Sequence, residues 1–132
     1  MIFSNAFEKG VKNADVSTPE EFARKGRSIS DYLNATLFSL ASSNGSLENQ
    51  DIYRIARRAE LAEDYIDRNG VLEAAKDRLA VREGFERVHN CLSSYYRSRA
   101  EGPLHAAQHG LEKVVAIVRN SEGSGEGQEA RE

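Results

Sequence analysis

Apolar residues recur along the chain at three- and four-residue steps in five stretches, and nowhere alternate strictly over the length of a strand, so the pattern predicts an all-α protein. Ile2, Phe3, Ala6, Phe7 and Val11 predict a short amphipathic helix over residues 2–12, weakened at its end by Gly10 and Asn13. The next start signal is STPEEF. Thr18 suits an N-cap, Pro19 the first helical position, and Glu20 and Glu21 the positive end of the helix dipole, with Glu21 placed to close a capping box. Downstream, Phe22, Gly26, Ile29, Leu33, Leu37 and Leu40 predict one continuous seam over about five turns, stopped by Ser42, Ser43, Asn44 and Gly45.

Ser46 is the expected cap of a third helix, whose seam is Ile52, Ile55 or Ala56, Ala59, Ala62 and Ile66 and whose stop is Asn69 and Gly70. An alanine-rich seam predicts a close helix approach, and Gly26 on the facing helix is expected to permit the same. A fourth helical pattern runs from Val71 to Ala100, with Glu101, Gly102 and Pro103 expected to end it. A last one, Leu104 to Asn120, carries Leu104, Ala107, Leu111, Val114 or Val115, and Val118. Short loops favour antiparallel neighbours. The expected architecture is an up-and-down helical bundle of four main helices plus a short N-terminal helix: one domain over 1–120, then a disordered acidic Gly/Ser/Glu tail over 121–132.

The fourth pattern contains a discontinuity. Val71, Leu72, Ala75 and Leu79 cluster on one side of a helix, whereas Val81, Phe85, Val88, Leu92 and Tyr95 cluster about 140° away. Either the helix breaks near Arg82, Glu83 and Gly84, or its halves face different neighbours. A mid-helix glycine costs only about 1 kcal/mol, which favours an unbroken or gently bent helix. A break would resemble the helix-turn-helix of DNA-binding regulators over residues 71–100, presenting Arg82, Arg87, Asn90, Arg97 and Arg99 to phosphates and base edges. Glu86 falls where that resemblance requires a buried apolar residue.

Composition narrows the function classes. The last twelve residues hold four glutamates and one arginine, which accounts for the whole formal charge of −3; the remaining body is balanced, unlike a strongly basic nucleic-acid binder. Nucleic acid is therefore the less favoured partner. The single cysteine, Cys91, excludes an intramolecular disulfide and cysteine-pair zinc sites and suits a reducing compartment. With no signal-like start and no apolar run of membrane-spanning length, the expected location is cytoplasmic.

Candidate chemistry is sparse. His105 and His109 stand four apart with Glu112 nearby, a spacing able to hold an ion, but no facing helix supplies further ligands in the pattern. Glu86-x-x-His89 resembles half of a di-iron carboxylate site, and the second Glu-x-x-His is missing. Cys91 and His89 point about 200° apart on a helix and do not pair locally. GSGEG lacks the lysine and the following helix of a phosphate loop. No metal, no cofactor and no enzymatic activity are expected.

What remains is a surplus of apolar helix face. Tyr53, Leu61 and Tyr65 occupy a side of the third helix distinct from its alanine seam, next to Arg54, Arg57 and Arg58, and Tyr95 and Tyr96 add two more aromatics of the kind enriched at interfaces. That second face is covered either by another helix of the same bundle or by another chain. The expectation is a small cytoplasmic protein–protein interaction module (an adaptor, secretion-type chaperone or inhibitor) whose partner is another protein or a second copy as a homodimer. In layout alone, through the short N-terminal segment, the Thr18–Pro19 helix start and the bundle length, the chain resembles flagellar export chaperones, without carrying a diagnostic motif.

Overall fold

The structure, a computed structural model, describes the backbone of residues 2–131 and the side chains of residues 6–122. It is all-α, with no strand among the described residues. Six helices follow in order: α1 (Ile2–Asn13), α2 (Pro19–Arg24), α3 (Ile29–Ala41), α4 (Asn49–Arg68), α5 (Ala75–Ser98) and α6 (Glu101–Arg131). The four long helices touch in cyclic order: α3 packs on α4, α4 on α5, α5 most extensively on α6, and α6 back on α3. Outside this ring, α1 lies on α4, and α2 touches α3 and α4. The shared core is built from the predicted seams: Leu33, Leu40, Ile52, Ile55, Ala56, Ala59, Ala62, Val88, Leu92, Ala107, Leu111, Val114 and Val118 are all buried. From α1, Phe7 and Val11 join it, while the side chains of Ile2 and Phe3 lie outside the described residues.

The capping box at Thr18 forms as expected: the Glu21 amide donates to Thr18 Oγ1 at 3.1 Å and the Thr18 amide to Glu21 Oε1 at 3.2 Å. The seam beyond it does not stay in one helix. It divides after Arg24, because Gly26 takes φ +76° and Ser28 opens a second capping box with Asp31. Two reciprocal bonds of 3.1 Å outcompete helix continuation there, an alternative that short polar side chains readily offer the backbone. Gly26 is thus needed for its left-handed backbone and not for close packing, since a Cβ at that position would meet nothing within 4 Å. Phe22 still reaches the core edge, with its ring 5.0 Å from Tyr32 and the Arg27 guanidinium 4.4 Å from its centroid.

Ser46 does not cap the next helix. Its amide closes a turn on Ser43 O at 3.1 Å, Asn44 and Gly45 are left-handed, and α4 starts after Glu48 with no side-chain cap. The stop at Asn69 and Gly70 holds, with Gly70 at φ +57°. The fourth helix then begins at Ala75, four residues later than the pattern implied. Residues 71–74 are held out of it by one local and one tertiary set of bonds: the Arg78 guanidinium donates back to Leu72 O and Glu73 O, and Ser121 Oγ donates to Val71 O at 3.1 Å from across the bundle.

This late start resolves the apolar discontinuity. Leu72 is buried from a loop, Ala75 and Leu79 face solvent, and only the stripe Val81, Phe85, Val88, Leu92, Tyr95 belongs to the core face of α5. The helix passes Gly84 without a break. Gly84 instead marks the crossing with α6: a Cβ there would lie 2.5 Å from Val114 Cγ2, and one at Gly110 would lie 3.4 Å from Arg87 Cδ and Val88 Cγ2. The close helix approach lies here, and Gly26 takes no part in it.

The last junction also differs. Arg99, at φ +63°, ends α5, and Gly102 and Pro103 sit inside the first turn of α6, where proline loses no hydrogen bond. At its other end α6 runs past the expected stop at Asn120. Ser121 is tied to Val71 O, and Ser30 Oγ donates to Glu122 Oε1 at 2.6 Å, so the first two residues assigned to a disordered tail are fastened to the bundle. The side chains of residues 123–132 lie outside the described residues.

Candidate functional site on the outer faces of α4 and α5

The tyrosine face of α4 is largely claimed by the chain itself. Phe7 on α1 inserts beside Tyr53, Tyr96 and His89, with ring centroids 6.5, 5.4 and 5.4 Å away, and Tyr53 OH donates to Tyr96 OH at 3.1 Å. That hydrogen bond, reinforced by burial, raises the Tyr53 phenol above its ordinary pKa. Gly10 makes the approach fit, because a Cβ there would lie within 2.6 Å of three carbons of the Tyr53 ring. The apolar side at Tyr53 is therefore covered by α1 and not left bare for another chain. Tyr65 and Tyr96 are half-buried against the core, and Leu61 is half-exposed.

Tyr95 is buried and accepts the Leu47 amide at 3.0 Å. Arg99 closes the same corner. It donates to Leu47 O at 3.0 Å and to the Asn49 side chain, and its guanidinium lies 5.4 Å from the Tyr95 ring centroid. On α4, Arg54 and Arg57 make intrahelical pairs with Asp51 at 3.7 Å and Glu60 at 3.3 Å, while Arg58 is half-buried with its Nε lacking a protein partner among the described residues. Of the residues expected to meet a partner, Arg54, Arg57, Leu61 and Tyr65 keep solvent-facing surface, and Tyr95 does not.

The set weighed for nucleic acid does not form one surface. Arg82, Arg87, Asn90 and Arg97 are exposed on α5, but the alternative helix-turn-helix they would have served has no turn, since residues 75–98 are one helix. Five residues apart, Arg82 and Arg87 point about 140° from each other. Arg99 is held to the 47–49 loop.

A groove of about 400 Å³ separates α4 from α5. Ile66, Leu72 and Val81 form its floor, Glu60, Glu63, Asp64 and Asp67 its α4 wall, and Arg78 and Arg82 its α5 wall. Burial raises the Glu63 carboxyl above its ordinary pKa, and the Arg82 charge across the groove works against that rise. Leu79, more than half exposed at 55 %, stands beside the arginine wall, next in sequence to Arg78. The other large exposed apolar side chain among the described residues is Phe38 on α3, at 73 %. No protein-family model, curated protein or solved structure matches the chain. Side-chain geometry therefore carries the functional reading. No helix is long and apolar enough to cross a membrane, among the described residues.

A second constellation appears where three helices meet. Glu8 of α1, Glu60 of α4 and His89 of α5 bring one donor atom each to within 4.8 Å of one another, and His89 Nε2 lies 3.5 Å from Glu8 Oε1. Local spacing had pointed to Glu86 as the companion of His89, but Glu86 is exposed beside Arg87 and Asn90 along the α5–α6 side. Residues some eighty and thirty positions from His89 leave no periodic trace near it, so only the tertiary packing identifies them. His105 and His109 are both exposed, and His109 sits 3.6 Å from Glu112 within its own helix. Cys91 is half-buried, and that burial raises its thiol above the usual pKa, away from the thiolate a nucleophile needs.

Proposed function

We propose that the protein is a small cytoplasmic protein–protein interaction module, of the adaptor, secretion-chaperone or inhibitor kind, and that the α4–α5 groove is its docking surface. The observation that carries this reading is the groove itself: an apolar floor between a wall of four carboxylates and a wall of two guanidiniums, with the exposed Leu79 next in sequence to Arg78. Grooves of this form receive amphipathic helices, whose apolar anchors fill the floor and whose charges pair with the walls. Glu60 is paired with Arg57 and Asp64 with Arg68, while Arg78 is turned onto Leu72 O and Glu73 O. Glu63 and Asp67 are therefore the wall carboxylates without an ion pair among the described residues, and the fitting partner is a helix that offers them a basic flank. The cyclic order of helix contacts supports the finer reading of the ring as an up-and-down bundle of four main helices, with α1 as a fifth. The lone cysteine supports a reducing compartment.

The direct test uses two labelled amphipathic peptides, one of leucine and lysine and one of leucine and glutamate, titrated by fluorescence anisotropy. Retention of the lysine peptide, lost in Leu79→Glu and in Asp67→Lys and weakened by salt, supports the assignment. Equal binding of both peptides, or binding indifferent to both substitutions, removes it. Sedimentation of the chain alone distinguishes a second copy as the occupant, since a dimer abolished by Leu79→Glu would put another subunit in the groove.

A further inference from the structure

We propose that Glu8, Glu60 and His89 form a binding site for a divalent metal ion of the zinc class, which fastens α1 onto α4 and α5. Three features of the junction support it. The ligands come from three separate helices, the arrangement that lets a bundle enclose an ion, instead of from one solvated helix face as at His105 and His109. The donor set, one imidazole and two carboxylates with no thiolate, suits zinc and its first-row neighbours better than magnesium or calcium, which take oxygen alone. The spacing is also nearly right. Metal–ligand bonds of about 2.1 Å place donors about 3.0 Å apart in octahedral geometry and about 3.4 Å apart in tetrahedral geometry.

The His89–Glu8 separation of 3.5 Å already matches the tetrahedral edge, and the full set lies within 4.8 Å, so a rotation of the two partly exposed glutamates by roughly an ångström completes it. His89 is held in place by the Phe7 ring packed edge-on at 5.4 Å. Arg57, 3.3 Å from Glu60 Oε1, is positioned to remain as an outer partner of a ligating carboxylate, a supporting role that such sites commonly use. Three protein ligands leave at least one coordination position to water.

The site shares Glu60 with the groove wall, whereas Glu8 and His89 are not groove residues, so substitutions at those two test it apart from the groove reading. The experiment is isothermal titration of the untagged full chain with zinc chloride, paired with hydrogen exchange of the α1 amides. Expected are one zinc per chain and slower exchange in α1 on loading, with both effects reduced at least about tenfold in Glu8→Gln and in His89→Gln. Glu8→Gln keeps the Phe7 packing and so separates lost ligation from lost fold. Both effects should persist in the double variant His105→Asn/His109→Asn, and magnesium should reproduce neither. Absence of saturable zinc binding at micromolar concentration overturns the proposal. So does binding that survives Glu8→Gln and His89→Gln but disappears in the His105/His109 variant.

Discussion

Gly84→Ala is the most informative single change, because two effects of known size oppose each other there. Replacing a mid-helix glycine by alanine gains about 1 kcal/mol of helix propensity. Against that, the new Cβ would stand 2.5 Å from Val114 Cγ2, about an ångström inside ordinary contact. Val114 is completely buried and β-branched on a helix, so its methyl has no alternative rotamer to turn into, and α5 and α6 must separate. Overpacking of this kind costs about 1–3 kcal/mol, and separating two helices along their most extensive interface belongs at the upper end. The expected net loss is about 1–2 kcal/mol, or roughly 3–8 °C in Tm for a chain of this length. Gly110→Ala provides the contrast at the same crossing. Its Cβ would meet Arg87 Cδ and Val88 Cγ2 at 3.4 Å, which is tolerable contact, so the propensity gain should leave it neutral or slightly more stable. Urea denaturation followed by circular dichroism measures both, with Val114→Ala completing a double-mutant cycle in which Gly84→Ala should cost less. A Gly84→Ala protein as stable as the parent, or one no better in the Val114→Ala background, would refute the close crossing.

Gly10→Ala should push the Tyr53 ring aside, costing about 1–3 kcal/mol before the propensity gain of about 1, and limited proteolysis should find α1 cut faster than in the parent. Tyr95→Phe leaves the Leu47 amide without its partner and should lower stability by about 1–3 kcal/mol in urea titrations; an unchanged midpoint would deny that bond its role. The Tyr32 phenol, buried and donating to Ser17 O at 2.7 Å, is pushed up to about 12 from an unfolded value of 10.0, with burial the leading cause. Its contribution is therefore complete below pH 10 and disappears between pH 10 and 12. Two pKa units correspond to at most about 2.7 kcal/mol. Alkaline denaturation should be shallower in Tyr32→Phe over that window, and identical curves would refute it.

Much of the secondary structure was legible because helical periodicity and capping are local. Thr18, Pro19 and Glu21 announce a helix start in four consecutive residues, and the seam of Ile52, Ala59, Ala62 and Ile66 shows its buried face without knowledge of what covers it. The failures have two causes. The start of α5 and the continuation of α6 past Asn120 involve bonds such as Ser121 to Val71, which link residues 50 positions apart. The split between α2 and α3, in contrast, is local, a competition won by the Ser28–Asp31 capping box and left-handed Gly26. Leu79 has the right spacing for a core residue beside Leu72 and Ala75, and is solvent-facing because α5 buries the stripe Val81, Phe85, Val88, Leu92 and Tyr95 on another side. Gly84 shows the same limit: its composition signals weakness in a helix, whereas its value lies in what Val114 needs from across the interface.

The chain's local pattern by itself determined that the protein is helical, where most of its apolar stripes lie, that its body carries no net charge and that no disulfide holds it together. These follow from backbone sterics, side-chain burial and counting, none of which requires a partner in space. Only the tertiary structure decided that α1 covers Tyr53, that α5 runs unbroken past Gly84, that carboxylates and guanidiniums face each other across one groove, and that Glu8, Glu60 and His89 converge. Such juxtapositions depend on how rigid helices cross, and a crossing is set by side chains distant in sequence interlocking at a few ångströms, which no periodicity along a single strand of text encodes.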